Sequence, residues 1–230
     1  MNKVVLWILA ILIVIAAAYL LFTRTGSAPV AQNATTTTQN ATSMSTSTIS
    51  EETVDYIVKA DIPQFGIPAI DAAIKNEITG QANQLKQQAT QDKPTTVQSE
   101  KYEFDSMISS TYVGPDVVSA KVVASIDTGG AHPMPNIEGF NYDRATGHAL
   151  TLDDALKMTG LSLAQVSAQA TAQLNKDFGD FVIDPQGSAP TPDNYQNFYV
   201  TKDSVIFIFE PYQVTAYAAG APEVSFPRVK

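Results

Sequence analysis

An uncharged apolar run, residues 4–22, is the feature that most limits what this chain can fold into. At about 1.5 Å of rise per residue, a helix of this length is just long enough to cross a hydrocarbon core of roughly 30 Å. The apolar core of a signal peptide is shorter, about 7–15 residues, so the run favours an uncleaved anchor. Cleavage stays open as an alternative, because the small residues Ala28, Val30 and Ala31 form a weak cleavage site. We therefore predict an N-terminal transmembrane anchor over residues 1–22.

The short N-terminus indicates the orientation of this anchor. Only Met1, Asn2 and Lys3 precede the run, and a short basic end is usually retained in the cytoplasm. We therefore expect a single-pass protein of the cell membrane whose C-terminal domain is extracytoplasmic. The sequence contains no cysteine, which excludes a lipoprotein anchor, a disulfide framework and a thiolate metal site.

Composition and charge separate the next segment from the rest of the chain. Residues 23–50 consist mainly of Thr, Ser, Ala, Asn and Gln, and Arg24 is their only charged residue, so we predict a disordered, flexible linker. All 23 acidic residues lie beyond position 50 with 12 of the 14 basic ones, which gives that part a net charge of −11. This charge argues against nucleic acid as a partner and favours a cationic one. Alternatively, the charge only keeps the domain soluble.

The residues beyond the linker predict an α+β fold, with a mainly antiparallel sheet and helices packed on it. Thr151 with Asp154 predicts the capped start of a short helix. Other predicted helices cover 69–90 and 162–178, and predicted strands cover 53–60, 96–113, 117–126, 136–142, 198–200, 204–209 and 223–229.

The first candidate site is a loop in which His132 lies between the diglycine Gly129-Gly130 and Pro133. Glycine permits a positive φ or a close approach of the backbone, and proline restricts the residue before it. Three roles remain open for His132: capping a carbonyl or stacking on an aromatic ring, contacting a ligand, or taking part in catalysis or metal binding. No nucleotide, acyl-transfer or metalloprotease motif is present, so we assign no catalytic residue and expect no metal or cofactor.

The second candidate site is the segment 210–222, which contains Pro211, Tyr212 and Tyr217 among small residues. Tyrosines in such a loop offer amphipathic contact area at a low cost in conformational entropy, as in many binding loops. The alternative is a crossover connection that packs its aromatic side chains onto the sheet.

Several short motifs follow one another in a family-like order: Thr128–Pro133, Phe140–Asp143, Thr146-Gly147, Leu150–Asp154, Phe198–Thr201, Phe209–Tyr212 and Tyr217–Gly220. Together they resemble the RsiV-like extracytoplasmic domain, which also follows the N-terminal module of the PdaC deacetylases. The resemblance covers roughly residues 53–229. It implies an α+β fold in two closely packed parts, a PdaC-type module over 51–134 and an RsiV-like module over 135–230.

The resemblance also bears on function, because in RsiV this domain binds lysozyme and gates proteolysis of an anti-sigma factor. Because three residues precede the predicted span in this sequence and the C-terminal module ends it, we expect neither the sigma-binding nor the deacetylase activity here. We predict a membrane-anchored extracytoplasmic binding domain for a cell-envelope protein or glycan, such as lysozyme or peptidoglycan. The predicted ligand contacts are Gly129, Gly130, His132, Pro211, Tyr212 and Tyr217. The alternative is an envelope hydrolase that uses His132 with a nearby carboxylate.

Overall fold

The structure, a computed structural model, describes residues 43–92 and 101–229. The strands are β1 (Ser45–Glu52), β2 (Tyr56–Gln64), β3 (Tyr102–Val113), β4 (Val117–Asp127), β5 (Met134–Asp143), β6 (Phe198–Val200), β7 (Ser204–Ile208) and β8 (Glu223–Pro227). The α-helices of this part are α1 (Pro68–Gln91), α2 (Leu152–Thr159) and α3 (Leu163–Phe178). The predicted α+β fold is thereby confirmed for the described residues.

The first sheet has five strands in the order β1-β2-β3-β4-β5. Its neighbours pair antiparallel except for β2 and β3, which run parallel because α1 returns the chain between them. Pro68 starts α1 at a position where its missing N–H is not needed. The buried face of α1 packs with strand side chains such as Val58 and Phe104, and consists of Ile70, Ile74, Ile78, Ala82, Leu85 and Ala89.

The second sheet has three antiparallel strands in the order β6-β7-β8. It packs with α2 and α3 around a core that includes Tyr195 and Phe207, whose rings meet edge to face at 5.4 Å. The capping box predicted from Thr151 and Asp154 is present, and α3 begins with a second one. Each box satisfies backbone N–H groups that a helix start leaves without partners.

The two sheets meet where β6 lies against β5, and side chains replace strand pairing at this junction. Asn141 on β5 donates from Nδ2 to the carbonyl of Phe198 at 2.6 Å. Its Oδ1 accepts from the backbone N–H of Val200 at 3.1 Å and from the hydroxyl of Ser119 at 2.8 Å. Asn141 is buried, so one amide joins β4, β5 and β6 inside the molecule.

The structure corrects the end of the predicted linker. Residues 45–50 belong to β1 and pair antiparallel with β2, for example Ile49 with Ala60. Most side chains of β1 are exposed, so the sequence shows no alternating apolar pattern there. The strand is held by backbone hydrogen bonds to β2 instead. The predicted anchor and the linker up to residue 42 lie outside the described residues. Among the residues described, no helix combines the length and apolar character that a membrane span requires.

Candidate functional site: an exposed aromatic surface

The loop between β4 and β5 is shaped by its glycines. The carboxylate of Asp127 accepts a hydrogen bond from the N–H of Gly129 at 2.8 Å, and Gly129 takes a φ of 76° that favours glycine. Gly130 and His132 follow on the surface, and Nδ1 of His132 lies 3.0 Å from the carbonyl oxygen of Pro133. The loop therefore presents an exposed imidazole just before β5.

The second loop, residues 210–217, is held by a network around Gln213. Its side-chain oxygen accepts from the N–H of Glu210 at 2.9 Å, and its Nε2 donates to the carbonyl of Gly187 at 2.9 Å. Within this frame Tyr212 takes a φ of 70°, which is unfavourable for a bulky side chain, while Pro211 beside it is half-buried. Such a conformation persists only where surrounding contacts impose it, and it leaves Tyr212 49% exposed.

The two predicted loops meet at their aromatic rings. The rings of His132 and Tyr217 stack with centroids 3.9 Å apart, and those of Tyr217 and Tyr212 lie 5.8 Å apart at 30°. The hydroxyl of Tyr217 donates to the carbonyl of Pro133 at 2.8 Å. Of the roles open for His132, the structure contains both carbonyl contact and aromatic stacking. We call His132, Tyr212 and Tyr217 the aromatic surface.

Two exposed apolar side chains, which sequence reasoning missed, lie in a segment bonded to the second loop. Phe181 is 63% exposed and Ile183 is 55% exposed. The N–H of Ile183 donates to the carbonyl of Val214 at 2.9 Å, and the N–H of Ala216 donates to that of Phe181 at 3.3 Å. We call Phe181 and Ile183 the apolar edge. The only sequence signal was a Phe-Val-Ile run in a turn-rich segment.

Two glutamates, also missed from the sequence, line a cleft of about 360 Å³. Glu138 lies on β5 and Glu210 begins the second loop, where its Oε1 accepts from Nδ2 of Asn197 at 2.6 Å. Burial raises the pKa of both carboxyls, and the charge of Glu138 raises the pKa of Glu210 further. The Asn197 hydrogen bond opposes that rise in Glu210. Glu210 belongs to the family-like motif Phe209–Tyr212, which was the available signal.

The arrangement of acidic and histidine side chains was compared with that of a metal centre. No group of three or more histidine and acidic residues within 43–92 and 101–229 is arranged to hold a metal ion. The contacts found for His132 are the ring of Tyr217 and the carbonyl of Pro133, both of which suit a positioned surface residue.

Comparison with protein families gives two matches. The family described as "Deacetylase PdaC" matches residues 49–135, and the family described as "Protein of unknown function (DUF3298)" matches residues 152–228. These two segments lie in the same chain order as the two modules inferred from the motifs.

Three curated proteins are similar over part of their length. The chain is 34% identical over 115 residues to immunogenic protein MPT64 of Mycobacterium tuberculosis, covering 50% of each protein. It is 32% identical over 104 residues to esterase Rv3036c of the same species, covering 44% of this chain and 45% of the esterase. It is 26% identical over 180 residues to peptidoglycan-N-acetylmuramic acid deacetylase PdaC of Bacillus subtilis, covering 77% of this chain and 38% of that enzyme. The chain thus spans half or less of these relatives.

A solved structure supports the fold. A DUF3298 family protein from Pseudomonas aeruginosa superposes with a TM-score of 0.55 and covers 80% of this chain and 90% of its own. Sequence identity is 18%, so the likeness concerns the fold alone.

Proposed function

We propose that this chain, in which a PdaC-type segment is followed by a DUF3298 segment, is a binding domain for a cell-envelope ligand. The observation that carries the proposal is the stacking of His132 on Tyr217, with Tyr212 exposed beside them. Aromatic rings of this kind combine apolar faces with polar atoms and lose little conformational entropy on binding. In this proposal residues 4–22 anchor the chain in the cell membrane and the domain lies outside the cytoplasm.

Two ligand classes are compatible with the aromatic surface. A peptidoglycan glycan is supported best, because the exposed parts of these aromatic rings offer apolar surface together with polar atoms, and one relative is named as a peptidoglycan-N-acetylmuramic acid deacetylase. A cationic protein such as lysozyme is the second class. It is supported by the apolar edge and by the net charge of −11 beyond residue 50.

Replacing Tyr217 tests the binding surface. We expect Tyr217→Ala to weaken binding of the full chain to sedimented peptidoglycan by roughly tenfold or more, since truncating a central aromatic contact commonly costs about 2 kcal/mol. Tyr217→Phe keeps the ring and loses only the hydrogen bond to Pro133, so it should retain most of the binding. Met107→Ala removes another exposed apolar side chain, on β3, and serves as the matched control.

The apolar edge separates the two ligand classes. Phe181→Ser combined with Ile183→Ser should leave peptidoglycan sedimentation unchanged if the rings alone bind a glycan. The same double variant should weaken a calorimetric titration with lysozyme if a protein covers the edge. Equal binding by wild type and Tyr217→Ala to both ligands would contradict a role for the aromatic surface.

An envelope hydrolase remains the alternative function, because one relative is named an esterase. The alternative would assign His132 and a carboxylate to turnover. Loss of ester or peptidoglycan hydrolysis in a folded His132→Ala variant, with binding retained, would favour the enzyme over the binding domain.

A further inference from the structure

The glutamates of the cleft stand where the second loop leaves the sheet, and neither takes part in an ion pair among the described residues. We infer that Glu138 and Glu210 form a charge-sensitive latch that sets how firmly residues 210–217 are held against β5 and β6. As a way of regulating ligand binding, this inference rests on the proposed function. As a property of the fold, it can be tested without a ligand.

Hydrogen bonds tie both glutamates to the framework around the loop. The amide of Asn197 that donates to Glu210 also donates to the carbonyl of Ile137 at 2.6 Å, and its Oδ1 accepts from the N–H of Gly139 at 3.1 Å. Glu210 is thereby linked to β5 through one side chain. Glu138 accepts from Nε2 of Gln81 on α1 at 2.9 Å, so the pair connects the loop, β5 and α1.

The ionisable groups that act on the pair are acidic or neutral. The charge of Glu77 on α1 raises the pKa of Glu138. The charge of Glu138 in turn raises the pKa of Glu210 in the loop. On β5, burial raises the pKa of Tyr142, and the charges of Glu77 and Glu138 raise it further, which keeps this phenol neutral. Because Asn197 on the β6 side is uncharged, deprotonation of both glutamates places like charges in one partly buried cleft without a compensating cation from these neighbours.

The direction of the pH effect follows from the raised pKa values. A carboxyl whose pKa is higher in the folded protein than in the unfolded chain stabilises the fold most below its ordinary pKa of 4.5. That contribution is lost as the pH rises through the raised value. The loop should therefore be held firmly in weak acid and more loosely at neutral pH.

Amide hydrogen exchange of the full chain without ligand tests the latch. The informative amides are those of Tyr212 and Gln213, which donate to the carbonyls of Thr215 and Glu210. After correction for intrinsic exchange rates, we expect their protection to fall roughly fivefold between about pH 5 and about pH 8. Glu138→Gln keeps an acceptor for Gln81 and removes one of the two charges, so the fall in protection should be smaller than in the wild type, and the remainder should come from the partly buried Glu210.

The controls distinguish the latch from general acid effects. Glu103→Gln removes an exposed charge on β3 and should keep the pH dependence of the wild type. Glu77→Gln should reduce the dependence partly, which provides a second variant if Glu138→Gln folds poorly. Constant protection in the wild type, or an unchanged pH dependence in both Glu138→Gln and Glu77→Gln, would overturn the latch. If the wild type does not bind peptidoglycan but its amide protection changes with pH as expected, the result counts against the proposed function and not against the latch.

Discussion

Gly139→Ala is expected to lower the free energy of unfolding by about 3 kcal/mol or more, or to prevent folding. A methyl group at this position of β5 would overlap the backbone carbonyl of Phe198 on β6. Backbone atoms cannot rotate aside as the end of a flexible side chain can. The substitution would therefore force the two sheets apart at their junction, where the N–H of Gly139 also donates to Asn197.

Urea unfolding followed by far-UV circular dichroism measures this effect. The matched control is Gly80→Ala in α1, where an added methyl group meets no described atom within 4 Å. Because alanine favours helix more than glycine does, Gly80→Ala should stabilise the chain by about 0.5–1 kcal/mol. An unfolding midpoint for Gly139→Ala equal to that of the wild type would show that β5 and β6 do not approach this closely.

Asn141→Leu should cost about 3 kcal/mol of unfolding free energy, the second large effect that we expect. The change removes the partner of the Phe198 carbonyl and one acceptor of the Val200 N–H, both within a buried junction. A buried polar group left without a partner costs about 1–3 kcal/mol. Leucine keeps a similar side-chain volume, so the loss reflects hydrogen bonding more than cavity formation.

The neighbouring Ser119 allows the contribution of Asn141 to be separated. Ser119→Ala should cost less, because the Val200 N–H keeps its hydrogen bond to Oδ1 of Asn141. In a double-mutant cycle the two costs should be non-additive, since both side chains serve the same N–H. Full additivity, or a cost for Asn141→Leu below about 1 kcal/mol, would contradict the proposed junction.

Local sequence signals predicted the helices better than the sheet. The apolar spacing that begins at Ile70 identified α1, and Thr151 with Asp154 identified the start of α2, because both signals act within a few residues. β1 escaped prediction, since its side chains are mostly exposed and its stability comes from pairing with β2. The parallel pairing of β2 with β3 depends on where α1 packs, which neither strand encodes by itself.

The candidate site was predictable residue by residue but not as an arrangement. His132 and Tyr217 were selected separately, and their stacking requires two loops that are far apart in the sequence to meet. Glu138 looked like an ordinary polar residue of a strand, because partial burial beside Glu210 arises only when β5 and β6 are brought together. Ligand binding by the aromatic surface stays a prediction.

The position of β5 matters for where this chain can be divided into fragments that fold. The first family match ends at residue 135 and the second begins at residue 152, so most of β5 (Met134–Asp143) lies in neither match. Yet β5 is an edge strand of the first sheet and carries Asn141, which hydrogen-bonds to Phe198 on β6 of the second sheet. A cut directly after the first match, at residue 135, would separate most of β5 from its partner β4. The two matched segments are therefore expected to depend on each other for folding, and a fragment cut at residue 135 would lack the last strand of its sheet.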